Sequence, residues 1–323
     1  MNNETPGGTP VRPSSQEWQL IEKVVTSATQ EQRRARRWGI FFKLLTFVYL
    51  FVILMMAFGG LGSRVPAITE PHTALVDVRG VIAEDEAASA DNIVTGLRKA
   101  FETSNVKGVV LRINSPGGSP VQSGYVYDEI KRLRAEYPEI KLYAVIADIG
   151  ASGAYYMAAA ADEIYADKAS LVGSIGVISS GFGLVDAIDK LGIERRVYAA
   201  GDNKNFLDPF SPEDPRQLAY WQEVLETTHR QFIEQVQKGR GDRLKQNPDL
   251  FSGLVWSGEQ ALEMGLIDGL GSASYVAREV IGAKEIVDYT PARNPFEQLA
   301  REFGISVGRG IGATLMSGQF GLR

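Results

Sequence analysis

The sequence predicts an α/β domain built on a largely parallel sheet. Three observations carry this. Short apolar runs of strand length alternate with longer stretches of helical periodicity, and Gly-rich turns separate them. With 323 residues and 44% hydrophobic content, the chain can bury a full core, and its length permits a second unit.

Residues 1–16 are polar and rich in Pro and Gly, a composition that does not build a core. Ser14-Ser15-Gln16-Glu17 then offers a capping-box-like start to a helix with Trp18, Ile21, Val25 and Ala28 on one face. Arg33, Arg34, Arg36 and Arg37 precede Trp38, and Leu44 to Leu61 runs without a charge. As a helix that run spans about 27 Å, close to the hydrocarbon thickness of a bilayer. A cleaved signal peptide is the competing reading. The apolar run is longer than an ordinary signal core, and Arg64 and Pro66 spoil the nearest small-residue cleavage site, so an uncleaved anchor is expected. The arginine cluster places the N-terminus in the cytoplasm and the rest beyond the membrane. The expected organisation is a cytoplasmic extension over 1–37, an anchor over 38–62, a catalytic domain over 63–290 and a tail of unassigned role over 291–323.

The domain itself opens with a strand from Thr73 to Ile82 and a helix from Ser89 to Thr103, with Ile93, Leu97 and Phe101 on one face. Gly108–Ile113 reads as a buried strand ending in Asn114-Ser115-Pro116-Gly117-Gly118-Ser119, and Val121–Glu136 as a helix closed by Pro138. Ile140–Ala147 is a third buried strand. It leads into Ile149-Gly150-Ala151-Ser152-Gly153-Ala154-Tyr155-Tyr156-Met157 and an Ala-rich buried helix. Shorter apolar runs at Glu163–Ala166 and Gly176–Ile178 follow. Asp214-Pro215-Arg216-Gln217 opens a helix running to about Lys238, with Leu218, Trp221, Leu225 and Phe232 turned inward and Gly239 and Gly241 ending it. Ser257-Gly258-Glu259-Gln260 opens a short helix; from Asn294 the pattern fades.

Composition narrows the chemistry. A net charge of −5 gives no reason to expect nucleic acid as a partner. No Cys is present, which removes disulfides, thiolate catalysis and Cys-ligated zinc together. His72 and His229 are the two histidines, and neither lies at a metal-ligand spacing, so neither a metal nor another cofactor is expected. Ser152, at a Gly-flanked turn between strand and helix, presents its hydroxyl where free helix N–H groups favour negative charge. It reads equally as an ordinary N-cap. His229 lies mid-helix among Glu226, Arg230 and Glu234, a pattern of a solvated face rather than of a base for Ser152. A lysine can replace histidine if an apolar pocket keeps it neutral. Lys168 sits beside Asp167, Lys190 at an exposed helix end, and Lys204 in a loop rich in aromatic and Pro residues; composition favours Lys204 only mildly. Ser115-Pro116-Gly117-Gly118 could aim backbone N–H groups into a cleft as an oxyanion hole, or be an ordinary turn.

Five motifs in order sharpen these alternatives: Ser115-Pro116-Gly117-Gly118, Ala151-Ser152-Gly153-Ala154-Tyr155-Tyr156, Val172-Gly173-Ser174-Ile175-Gly176-Val177, Gly201-Asp202-Asn203-Lys204 with Asp208-Pro209-Phe210, and Trp256-Ser257-Gly258-Glu259-Gln260-Ala261 with Gly265-Leu266-Ile267-Asp268. Over roughly Thr73 to Ser274 the chain resembles the signal peptide peptidase A family, membrane-anchored serine-lysine peptidases of the Clp/crotonase-like fold. The resemblance implies repeated ββα units, a mostly parallel sheet and one N-terminal transmembrane helix. It implies Ser152 as nucleophile, Lys204 as general base, Ser174 as the group orienting the lysine, and the N–H groups of Gly118 and Gly153 as the oxyanion hole. It further implies cleaved signal peptides and other short apolar peptides as substrates, a homo-oligomeric ring, and a bacterial inner membrane location with the catalytic domain outside the cytoplasm. Two rivals stand beside it: a crotonase-type acyl-CoA enzyme, which shares the oxyanion device but needs no anchor, and an inactive anchored ring scaffold.

Overall fold

A computed structural model describes Lys23, Arg33, Arg34 and the stretches 36–54 and 70–291. The expected helix around Trp18, the end of the apolar run beyond Leu54 and the tail from Asn294 lie outside the described residues. The chain divides into two units, Met1–Pro66 with Asn294–Arg323, and Ala67–Arg293. In the first, helix α1 (Arg36–Leu54) is long and apolar enough to cross a membrane. Its large side chains, Phe47 and Tyr49 among them, are exposed around the helix and buried against no protein.

The second unit is α/β. Strands β1 (His72–Arg79), β2 (Val106–Ser115) and β3 (Leu142–Ala151) are parallel neighbours, with helices α2 (Ala90–Glu102) and α3 (Pro120–Glu136) in the crossovers. Further along, α4 (Gly153–Ala158), β4 (Glu163–Ala166), β5 (Leu171–Gly173), α5 (Val185–Lys190), α6 (Pro215–Arg240), β6 (Val255–Ser257), α7 (Gly258–Glu263), β7 (Gly269–Leu270), α8 (Ala273–Tyr275) and β8 (Ile286–Asp288) complete it. The sheet order is β6-β5-β3-β2-β1-β8, with β4 also on β3 and β7 on β4; only the β5–β6 pairing is antiparallel.

Alternation along the central strands divides the core. Ala74, Val76, Val78, Val109, Leu111, Ile113, Leu142, Ala144 and Ile146 join the large cluster that also contains Leu97, Ile130 and Met157 of α2, α3 and α4. The intervening Leu75, Val110, Tyr143 and Val145 meet Ala273 and Val276 in a smaller cluster on the other face. Burial on both faces is why these strands read as unbroken apolar runs.

Helix ends follow the expected chemistry. The Ser119 hydroxyl accepts from Gln122 N–H and Pro120 occupies the first turn of α3; Asp214 accepts from Arg216 N–H before Pro215 of α6; Ser257 and Gln260 form a complete capping box. Three expectations are corrected. The apolar run Gly176–Ile178 is not a strand: the strand is Leu171–Gly173, and Ile178 is exposed. Helix α6 passes through Gly239 to end at Gly241; Gly239 serves close packing, since a Cβ there would overlap the Ala159 carbonyl. Leu218 is exposed, and of the inward-facing set only Phe232 is fully buried, because the first half of α6 extends beyond the core.

Candidate active site

The site arises where β2 and β3 end. Parallel neighbours terminate side by side, so the turns that follow meet at the carboxyl edge of the sheet, where open α/β sheets place their ligand crevices. A register shift between Ile113 and Ser115 sets Ser115 opposite Gly150 and brings the Ser115–Gly118 turn against the Ala151–Gly153 turn. Here β3 also changes partner, from β4 over Tyr143–Ile146 to β5 over Ile149–Ala151. The Ser152 N–H then donates to the Gly173 carbonyl at the end of β5 (2.8 Å).

Ser152 is not an ordinary cap. Its backbone stands at φ 54°, ψ −126°, outside the extended region of a helix N-cap, and its hydroxyl makes no capping hydrogen bond. A serine held at positive φ is strained, and its neighbours hold it there. Gly117, at φ 99°, leaves no space for a side chain: a Cβ would lie 2.7 Å from Ser152 Cβ and 2.8 Å from the Gly153 nitrogen. Gly118 has φ 153°, and a Cβ there would overlap the Ile82 carbonyl. Ile82 pins this turn by donating to Gly117 O (2.9 Å) and accepting from Ser119 N–H (2.8 Å). A Cβ on Gly153 would lie 3.4 Å from the Gly118 nitrogen, so the two amides are close neighbours. Among the described residues, neither the Gly118 nor the Gly153 N–H donates to protein. Two unspent donors beside an uncapped serine hydroxyl can stabilise an oxyanion formed by attack from that serine.

Above the serine opens a cleft of about 460 Å³, lined by Gly118, Val121, Tyr125, Asp128, Ser152, Gly153, Tyr156, Val177, Ile178 and Phe232 among others. Tyr127, Tyr156 and Phe232 form a chain of ring contacts at 5.4 and 5.0 Å beneath it. Sequence reading did not single out Tyr125, Asp128, Tyr156 or Phe232 as a wall. They come from one face each of α3 (Tyr125, Asp128), α4 (Tyr156) and α6 (Phe232), which only packing brings together.

Of the five expected site residues, the structure unites Ser152, Gly118 and Gly153 and keeps Ser174 nearby. Ser174, half-buried at φ 50°, follows Gly173 and donates its N–H to Leu254 O (2.7 Å). Lys204 is exposed and does not line the cleft; Lys168 and Lys190 are also exposed. The histidines are structural. His72 is buried, with Nε2 on the Tyr289 hydroxyl (2.8 Å) and Nδ1 on Glu70 O (3.0 Å). His229 does not lie on a solvated face: it is half-buried, its Nε2 on Ile175 O (3.0 Å). Behind the serine, Tyr155 donates to Leu266 O (2.6 Å), and buried Arg240 holds Asp268 through two hydrogen bonds (2.7 and 2.9 Å). Among the described residues no His, Cys, Asp and Glu cluster could hold a metal.

Comparison with known proteins adds a second line. Residues 134–286 match the model of peptidase family S49. A protein of Brucella melitensis named "Na(+)/H(+) antiporter NhaA" is 46% identical over 188 residues, which are 58% of this chain and 25% of that protein. This chain thus spans a quarter of the length of that relative. An Enterococcus faecium protein named "Putative signal peptide peptidase SppA" is 31% identical over 67% of this chain and 64% of its own length. A Synechocystis sp. protein named "Putative protease slr0021" is 31% identical over 63% of this chain and 71% of its own.

Proposed function

The chain belongs to peptidase family S49, and from that premise we propose that it is a membrane-anchored serine endopeptidase with Ser152 as nucleophile and Lys204 as general base. The observation that carries this reading is the uncapped, positive-φ Ser152 beside the free N–H groups of Gly118 and Gly153. In the reaction, Ser152 Oγ attacks a peptide carbonyl as neutral Lys204 takes its proton. The Gly118 and Gly153 N–H groups receive the oxyanion. Lys204 returns the proton to the leaving amine, and water repeats the sequence on the acyl-enzyme. Ser174 orients Lys204 from its position beside Gly173.

The base role requires an apolar surrounding, which Lys204, exposed among the described residues, does not have. The reading therefore includes a homo-oligomeric ring in which a second copy covers this loop and brings Lys204 over a cleft. Substrates are cleaved signal peptides and other short apolar peptides, in keeping with the apolar cleft wall. The domain is of the Clp/crotonase-like type, α1 anchors it in a bacterial inner membrane, and the arginines before Trp38 keep the N-terminus cytoplasmic. The catalytic domain then faces away from the cytoplasm. Family membership gives no support to the acyl-CoA alternative.

The test is a fluorophosphonate probe on the full-length protein in detergent, with mass spectrometry of cleaved peptides. Labelling at Ser152 together with cleavage of apolar peptides is expected. Binding of acyl-CoA without labelling or cleavage would overturn the reading. For topology, protease added to spheroplasts should digest the domain and leave a short N-terminal fragment protected.

A further inference from the structure

The cleft wall is apolar and aromatic through Val121, Tyr125, Tyr156 and Phe232, and among the described residues Asp128 is the single charged side chain that lines it. Helical spacing explains the arrangement: Val121, Tyr125 and Asp128 follow each other at four and three residues and form one stripe of α3. The other carboxylates of α3 are spoken for, Glu129 by Arg98 and Arg132, and Glu136 by Arg132. Asp128 enters none of the ion pairs among the described residues, and no lysine or arginine lines the cleft. Its charge reaches the cleft wall. Burial first, then the negative charge of Asp128, lifts the Tyr156 hydroxyl above the ordinary phenol range.

We propose that Asp128 is a specificity-determining residue that recognises an amine cation of the bound peptide, either a Lys or Arg side chain or a free α-ammonium. This rests on the peptidase reading of the cleft. An unpaired carboxylate beside an apolar groove favours a cation and repels an anion. Its position along α3 sets the register. At about 1.5 Å per residue the path from Pro120 to Asp128 is roughly 12 Å, which an extended peptide covers in about three to four residues. Pro120, two residues past the Gly118 amide, lines the same cleft as Ser152, so the cation is expected several residues from the carbonyl that Ser152 attacks.

The experiment uses the full-length protein in detergent and a scan of apolar fluorogenic peptides carrying Lys, norleucine or Glu at each position in turn. Each is made with a free and with an acetylated N-terminus. At one position the ranking in kcat/KM should be Lys over norleucine over Glu, with Lys ahead by roughly two- to fivefold at low salt. The lead should shrink as salt is raised. Asp128→Asn should collapse the Lys-to-norleucine ratio toward one, and Asp128→Lys should invert the Lys–Glu ranking, which a merely structural role would not do. A preference that vanishes on acetylation assigns the cation to the N-terminus; one that survives assigns it to a side chain. Equal ratios in the wild type and Asp128→Asn overturn the proposal. Anisotropy binding of the same peptides to Ser152→Ala separates the two readings. Lys preference in binding without wild-type cleavage keeps the cation site and removes the peptidase. Cleavage without preference removes the cation site alone.

Discussion

From β1 to α4, the central strands and the helices packed on them bury their apolar side chains, and the Ser152 turn closes on three sides against Gly117, Gly153 and Gly173. The segment from Gly176 to Asp214 is built in the opposite way. Ile178, Phe182, Leu191 and Tyr198 are 87, 84, 72 and 91% exposed, and α5 buries no residue. Both regions carry apolar side chains, yet among the described residues only the first buries most of them. The contrast teaches that the proposed nucleophile and oxyanion donors are positioned by packing within the chain, whereas the Lys204 loop carries a surface of the kind that marks an interaction site. Each half of the proposed dyad thus has its own means of being broken.

The largest effect belongs to the well-packed half. Ser152→Ala should reduce peptide cleavage to background with an unchanged circular dichroism spectrum, because no other group can form the acyl-enzyme. Activity retained within tenfold would place the chemistry elsewhere. Lys204→Ala should be nearly as damaging, since members of one catalytic unit are not additive. Co-assembly of Ser152→Ala with Lys204→Ala subunits sharpens the contrast. Mixed oligomers should regain activity if the lysine comes from another copy, and stay dead if both groups act within one chain.

Third in size is an effect on stability. Arg240→Met leaves Asp268 without its buried partner and should cost about 3–5 kcal/mol in denaturant unfolding. The same pair gives a pH dependence. Burial alone would raise the Asp268 pKa, but the hydrogen bonds and charge of Arg240, the Ile164 N–H and the charge of Arg243 together outweigh it and hold the carboxyl below the usual carboxylate range. A depressed folded-state pKa contributes stability that is fully present above the unfolded-state value and is lost as pH falls through the folded pKa. Acid unfolding of the wild type should show this loss, and Arg240→Met should show it weakened, with the Ile164 N–H and Arg243 left on the carboxylate. The smallest effect on stability is expected in the open region. Tyr198→Ser with Leu191→Ser should change single-chain stability by no more than about 0.5 kcal/mol while lowering the mass seen in light scattering. A large destabilisation with unchanged mass would mean that the segment packs within its own chain.

Local rules reached a long way into this fold. Apolar or alternating runs located β1 to β4, and cap residues located the starts of α6 and α7, because both signals are written over a few consecutive residues. They failed where neighbours distant in sequence decide. Gly176–Ile178 has the composition of a strand, yet β3 pairs with Leu171–Gly173. His229 has the flanks of a solvated residue, yet Ile175 O supplies a partner from far along the chain.

The sequence by itself determined the α/β class, the apolar helix α1 and the motif order that marks Ser152, since periodicity, composition and spacing are properties of the linear chain. Only the tertiary structure decided that Ser152 adopts positive φ without capping its helix. That outcome depends on the Ser115–Gly118 turn, more than thirty residues earlier, which the parallel pairing of β2 and β3 lays against it. The same packing across α3 and α6 leaves Asp128 lining an apolar cleft, while Lys204 stays exposed among the described residues. Burial and electrostatic environment are sums over neighbours in space, and for these residues the neighbours are remote in sequence.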